Sequence, residues 1–369
     1  MCLCGVPWEG MSYLLINNPG TTLSVDQTNF TLRAKGRKLA RLPAMIIDGI
    51  IVEGHVEVTR KALGRLGRSG IPVTFLDEQG RVQSRLVPGW GHDPAPRLGQ
   101  SALALDPAAS LIVARHYVKS KILNQAAVLR SHLRNHPDDG IASIRRRLLE
   151  TIARVDQAET TESLFGHEGA AARLYFSAFG TMIRCDWTTF TARSRRPPLD
   201  PVNSTLSYAY AVIQNRITSL AETVGLDPYI GCLHPSTARR PSFSLDFMEP
   251  FRPALADRLV LSLFNRRVLR PEHFDHRNQL VRSENADEGG ARYAFDREVT
   301  ACYLNAAGRE AFARHAASWF PSCNDDLADK RHSPDGVLSR EIQSFQRLAA
   351  RRDLTSYQPY LLEPDAKAA

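Results

Sequence analysis

The chain runs to 369 residues, of which 43% are hydrophobic and 23% charged; this is enough to bury the cores of two domains and excludes a disordered protein. No apolar run nears the ~18 residues that a membrane-crossing helix needs, and no basic-then-apolar leader with a cleavage site opens the chain, so a cytoplasmic protein with no membrane association is expected. The formal net charge is +8, much of it from arginines set close together: Arg145–Arg147, Arg195 with Arg196, Arg239 with Arg240, and Arg266 with Arg267. Guanidinium forks match phosphate oxygens, which points to a polyanionic partner; a solvated basic face explains the same residues.

The first ten residues, Met1–Gly10, stand apart as an extra N-terminal segment: a start-site choice before Met11, a tag, or the remnant of an upstream fusion. From residue 11 to residue 87 the pattern is short and β-rich. Tyr13–Ile16, Thr22–Val25, Phe30–Ala34 and Ile46–Val52 read as strands, Val58–Arg68 as a helix ended by Gly70, and Ile71–Leu76 with Val82–Val87 as a hairpin around Gly80. Strands so short and closely spaced predict a small β-sandwich or roll with one helix, not a doubly wound sheet. Residues 88–107 are rich in proline and glycine and read as a linker.

Beyond the linker the texture becomes helical, so the fold class expected is α+β, with an N-terminal β-sandwich followed by a larger all-α domain over residues 108–369. Helices are expected at Ala108–Arg134, Ile141–Val155, Glu168–Ile183, Asn203–Val224 and Ser244–Val268, the last bent near its start by Pro250 and Pro253. Ile112, Tyr117, Ile122 and Val128 are candidate core positions of the first. Arg193–Pro201 and Leu226–Arg240 are expected loops, and Pro364–Ala369 a loose tail. Six cysteines, with no C-x2-C pair among them, read as free thiols in a reducing compartment.

The chemistry concentrates in Gly231–Pro253, G-C-L-H-P-S-T-A-R-R-P-S-F-S-L-D-F-M-E-P-F-R-P. His234 sits in a Pro/Ser/Thr/Arg loop, and Asp246 and Glu249 follow three apart, sharing a helix face. Two carboxylates and an imidazole suit a hard divalent ion; Asp and Glu in a helix's first turn also favour its dipole without any metal. A second acidic candidate is Glu168 in L-F-G-H-E-G-A-A-A-R-L-Y-F, expected at a helix start, where a dipole role is again the plainer alternative. A third segment, R-R-P-P-L-D-P-V-N-S-T-L-S-Y-A-Y, places Arg195 and Arg196 before a helix whose Tyr208 and Tyr210 read as core.

Taken together and in order, these segments, with Asp257 beyond them, resemble the CRISPR adaptation integrase family, CRISPR-associated protein one. The resemblance takes in Gly49–Gly54, the Ile71–Val87 hairpin and Lys119-Ser-Lys-Ile-Leu-Asn-Gln125, and is weakest in Met1–Gly10 and from about Glu272 onward. It implies a homodimer, two of which flank a dimer of CRISPR-associated protein two in a heterohexamer on double-stranded DNA, both the spacer precursor and the CRISPR repeat. It implies catalytic metal ligands at Glu168, His234 and Glu249, with Asp246 nearby, and Mg²⁺ or Mn²⁺ as the ion. Glu249 stands where some members have aspartate, and His167 where an apolar residue is common. The activity implied is transesterification, the 3′-hydroxyl of a short DNA fragment joining the repeat edge; Arg195, Arg196, Arg239 and Arg240 are the expected DNA contacts. A structure-selective nuclease acting on branched or single-stranded DNA or RNA uses the same site, and a non-catalytic DNA-binding scaffold uses the same charges.

Overall fold

The structure, a computed structural model, describes residues 5–8, 11–27, 29–44, 47, 49–77, 82–87, 93–282, 296–320, 334–353 and 357–362. Gly80 and Pro364–Ala369 lie outside the described residues, as does Ile46. The chain divides into two compact units: Met1–Tyr117 with Gln214–Glu249 and Ala316–Leu362, and Val118–Ile213 with Pro250–His315 and Glu363–Ala369.

The first unit begins with strands β1 (Gly5–Trp8), β2 (Met11–Ile16), β3 (Thr21–Asp26), β4 (Asn29–Ala34), β5 (Arg37–Pro43), β6 (Gly49–Glu53) and β7 (Val56–Val58). Helix α1 (Arg60–Arg68) and strands β8 (Val73–Leu76) and β9 (Val82–Leu86) follow. They form a five-stranded sheet, β1-β2-β6-β8-β9, and a four-stranded sheet, β5-β4-β3-β7. The first is mixed: β6 runs parallel to both β2 and β8, while β1 and β9 close its edges antiparallel. Alternation places Leu14 and Ile16, Ile50 and Val52, and Phe30 and Leu32 on buried faces, and both sheets share one apolar cluster with Ala62 and Leu66 of α1. The predicted hairpin forms as β8–β9. Residues 5–8, set apart by sequence, pair with β2 as an edge strand; backbone pairing needs no apolar pattern, so composition could not show it. Strand β5 also escaped the pattern because it is charged, yet Lys35 and Gly36 both have positive φ, the conformation a two-residue hairpin turn requires.

The expected linker contains a helix, α2 (Ala95–Leu105), opened by Pro94 and by Asp93, whose Oδ1 accepts from Ala95 N at 2.9 Å. Both compact units draw on residues beyond 107. Helix α10 (Pro334–Arg351) packs on α2 so closely that a Cβ on Gly99 would lie 1.7 Å from the Ala349 carbonyl oxygen. Chain order hides that contact, which draws the C-terminal helix into the first unit. Helix α3 (Pro107–Asn135) begins in this unit, with Tyr117 buried and Ile112, an expected core residue, 38% exposed.

The second unit is mainly helical: α3 continues with Ile122 and Val128 buried, followed by α4 (Asp139–Asp156), α5 (Thr161–Met182) and α6 (Pro201–Thr223), which starts here. Asp138 caps α4 and Thr160 caps α5, each accepting from the backbone N–H three residues on. The expected fifth helix is broken. It becomes α7 (Ser242–Met248), in the first unit, then a π-helical turn Arg252–Asp257 and α8 (Arg258–Asn265) in the second. Pro253 has no N–H to continue an α-helical ladder at that point.

The region is also not all-α. Strands β10 (Phe274–Arg282) and β11 (Asp296–Leu304) pair antiparallel, with α9 (Ala306–Trp319) after them. Charged residues along β10 masked the period, but β11 is tied down by bonds from Cys302 N to Pro198 O at 2.9 Å and from Leu304 N to Ser204 Oγ at 2.8 Å.

Candidate functional site

In the first unit the loop before α7 is built around one carboxylate. Asp246 is 0% exposed; its Oδ2 accepts from Cys232 N at 2.7 Å and Leu233 N at 2.8 Å, and its Oδ1 from His234 N at 2.9 Å. His234 Nδ1 lies 2.6 Å from the same Oδ1. Successive backbone N–H groups aimed at one anion form a nest, and they and the imidazole use the acceptor capacity of the carboxylate. Burial pushes the Asp246 carboxyl above its ordinary range, and the His234 hydrogen bond opposes that shift. With Nδ1–H donating to that oxygen, Nε2 is the ring's acceptor atom.

Glycine is required at 231, where a Cβ would stand 2.6 Å from Asp246 Oδ2. The loop is braced by α2 and α3. Gln100 Nε2 donates to the carbonyls of Asp227 (2.8 Å) and Ile230 (2.9 Å), and Ser110 Oγ to that of Cys232 (2.9 Å). Phe243 and Phe247, on adjacent turns of α7, pack into an aromatic cluster with Tyr117, Phe345 and Tyr357, which fixes the helix carrying Asp246. Burial pushes the Cys232 thiol up to about 12, so it is no nucleophile. Glu249 caps the C-terminal end of α7 and is 4% exposed. Arg239, with positive φ, and Arg240 are exposed on the loop.

In the second unit Glu168 is not at a helix start but inside α5, so a dipole role is excluded there. Its Oε1 accepts from Nζ of Lys121 on α3; the side chains are 18% and 6% exposed. One turn further along α3, Asn124 Nδ2 donates to the Pro250 carbonyl at 2.7 Å. Asp257, at the end of the π-helical turn, accepts from the Tyr210 hydroxyl at 2.6 Å, and the Tyr210 ring lies under two guanidiniums, Arg252 at 4.8 Å and Arg193 at 5.4 Å. Burial pushes the Asp257 carboxyl up to about 6, with the Tyr210 bond as the first opposing influence. The Tyr210 phenol is held well above its ordinary value by burial. Tyr210 is a core residue, as expected, while Tyr208 packs edge-on against Phe312 at 5.1 Å. Arg195 and Arg196 are exposed.

Of the expected ligands, then, the structure joins His234 to Asp246, with Glu249 on the same helix end, and gives Glu168 to Lys121. Among the described residues no three His, Cys, Asp or Glu stand arranged to hold a metal. Taken unit by unit, the donor types nonetheless suit a divalent ion. A ligating histidine characteristically passes its other N–H to a carboxylate, as His234 does to Asp246, and Glu168 and Glu249 are hard oxygen donors. The oxygens of Asp246 are taken by three backbone N–H groups and the imidazole, which leaves it placed to orient His234. Lys121, Asn124 and Arg252 were not singled out as site residues. Their signal is polar side chains on otherwise apolar helical stretches, which the sequence offers but does not explain.

The family model for CRISPR associated protein Cas1 matches residues 14–294. A CRISPR-associated endonuclease Cas1 of Rhodospirillum rubrum is 36% identical over 275 residues, 72% of this chain and 79% of that protein. Among solved structures, a casposase bound to integration product shares the fold with a TM-score of 0.74 at 20% identity, covering 95% of each chain. A Cas6-RT-Cas1–Cas2 complex shares it with a TM-score of 0.71 at 20% identity, over 95% of this chain and 36% of that one.

Proposed function

The chain belongs to the family of CRISPR associated protein Cas1, and on that premise we propose that it is a metal-dependent DNA integrase of CRISPR adaptation. Glu168, His234 and Glu249 hold a Mg²⁺ or Mn²⁺ ion, and the chain joins the 3′-hydroxyl ends of short double-stranded DNA to the repeat edge of a CRISPR array. The observation that carries this reading is the His234 imidazole, held through Nδ1 by the buried Asp246 carboxylate. A buried carboxylate aligned by three backbone N–H groups fixes the ring's tautomer and direction, which is what a ligating nitrogen requires.

The reaction forms one phosphodiester and breaks another: the attacking 3′ oxygen loses its proton and bonds to phosphorus, and the leaving 3′ oxygen takes one up. A divalent ion held by Glu168, His234 and Glu249 would supply a lowered pKa for the attacking hydroxyl and offset charge on the phosphate. Arg195, Arg196, Arg239 and Arg240, all exposed, contact backbone phosphates and position DNA without reading its sequence. The chain acts in the cytoplasm as a homodimer, two of which flank a dimer of the small CRISPR-associated protein two. No helix among the described residues is long and apolar enough to cross a membrane. We read the two N-terminal sheets, with their shared core, as the faces of a β-sandwich.

The curated relative named above is called an endonuclease, which favours a second reading in which water replaces the DNA hydroxyl at the same site. One experiment separates the two. A 3′-hydroxyl duplex is incubated with a supercoiled plasmid carrying a repeat, Mn²⁺ and the partner protein, with wild type or with Glu168→Ala, His234→Ala or Glu249→Ala. Joined product from wild type and none from the variants is expected. Cleavage without joined product selects the nuclease reading, and joining by any variant at the wild-type rate removes that residue from the site.

A further inference from the structure

We propose that Lys121 is the resident cation of the Glu168 carboxylate, holding it in place until a divalent ion takes it over, and so setting the metal concentration at which the site fills. The proposal rests on the reading of Glu168 as a ligand.

Lysine is almost never buried without an anionic partner, because an ammonium taken out of water loses its hydration. Lys121 is 6% exposed, and its bonded partner, Glu168, is the more open of the two at 18%. The ammonium has a second carboxylate within its field: its charge acts on Asp257, which is 1% exposed. Glu168 can therefore be surrendered without leaving the lysine charge alone in the interior.

The lysine itself is held where it is. Asn124, one turn on, anchors the same helical stretch to the Pro250 carbonyl, and Ser120, Ile122 and Gln125 around it are buried. An ammonium is a compact point charge, so it competes with a divalent ion for the same carboxylate oxygens.

Lys119, two residues earlier, supplies the contrast. It pairs with Asp156 at 2.9 Å with both side chains well exposed, 40% and 49%, which is an ordinary surface ion pair. Two lysines on one helix thus sit in opposite dielectric surroundings, and only one of them touches a proposed ligand.

The test is Mn²⁺ titration of the full chain, followed by the electron paramagnetic resonance signal of the free aquo ion. Wild type is compared with Lys121→Met, Lys121→Gln, Lys119→Met and Glu168→Gln. Removing a charge at contact distance in a partly desolvated site is expected to tighten Mn²⁺ binding by about tenfold or more in Lys121→Met. Lys119→Met should match wild type, and Glu168→Gln should lose binding. If Lys121→Met fails to fold by circular dichroism, Lys121→Gln, which keeps a hydrogen bond to Glu168 but no charge, is read in its place. Unchanged or weaker binding in the neutral variants, with binding still lost in Glu168→Gln, overturns the proposal and leaves the metal reading standing. Wild-type binding by Glu168→Gln removes Glu168 as a ligand, and the proposal falls with it.

Discussion

Asp246 in the first unit and Asp257 in the second are both shut away from water, yet they are kept there by different means. Asp246 is met by three backbone N–H groups of one loop and by an imidazole. Asp257 is met by the Tyr210 hydroxyl and lies in the field of Lys121 and Arg193. Backbone donors cannot swing aside, so the first carboxylate and its loop behave as one rigid piece suited to aiming a histidine. Side-chain partners can rearrange, so the second carboxylate sits in a more adjustable network. Burial raises both carboxyls, and the raised value of about 6 at Asp257 shows how incompletely its partners offset the loss of water.

The largest effect is expected where the rigid arrangement is emptied. Asp246→Ala strands three buried N–H groups, each costing ~1–3 kcal/mol, so a loss of about 3 kcal/mol or more is expected in chemical denaturation. The more conservative Asp246→Asn should retain more stability yet lower strand joining by about 10–100-fold, the range seen when a ligand's orienting partner is changed. Equal losses of activity and stability across both variants would argue that Asp246 only holds the loop together.

Asp257 predicts a pH effect instead. Its folded value lies above its ordinary one, so the folded state binds more protons between the two, and its contribution to stability is lost as pH rises from about 4 through about 6. The difference between the folded and ordinary values corresponds to about 3 kcal/mol at most. Asp257→Asn should flatten that part of the wild-type profile of unfolding free energy against pH; parallel profiles would sink the assignment.

A smaller loss tests how the C-terminal helix joins the first unit. Gly99→Ala drives a methyl into the Ala349 carbonyl, for an overpacking cost of about 1–3 kcal/mol, seen as a lowered melting temperature. The smallest stability effect is expected from the exposed arginines. Replacing Arg195, Arg196, Arg239 or Arg240 by alanine should change stability by less than ~0.5 kcal/mol. Each should reduce the salt dependence of DNA binding by about 0.9 in the log–log slope. An unchanged slope would remove that residue from the DNA path.

Much of this was legible before any coordinates. Period-two alternation gave β2, β3, β4 and β6, because one buried face per strand leaves its mark on the sequence. Long apolar stretches between prolines and caps gave α3, α4 and α6 to within a few residues. The charged strands β5 and β10 were not legible, since pairing through the backbone asks nothing of their side chains. The helix in the expected linker was hidden by its prolines, although Asp93 and Pro94 are starting signals for it.

What the sequence by itself determined was the family and the residue types offered to the chemistry: an imidazole and carboxylates in an ordered set of motifs. What only the tertiary structure decided was which groups meet. Asp246 became the partner of His234, Glu168 the partner of Lys121, and Tyr210 the partner of Asp257. Residue identity and spacing fix what a side chain can do, but the charge it must answer to inside the protein is set by elements distant in the chain. Burial makes that pairing compulsory, because an ion removed from water is stable only beside the group that replaces its hydration.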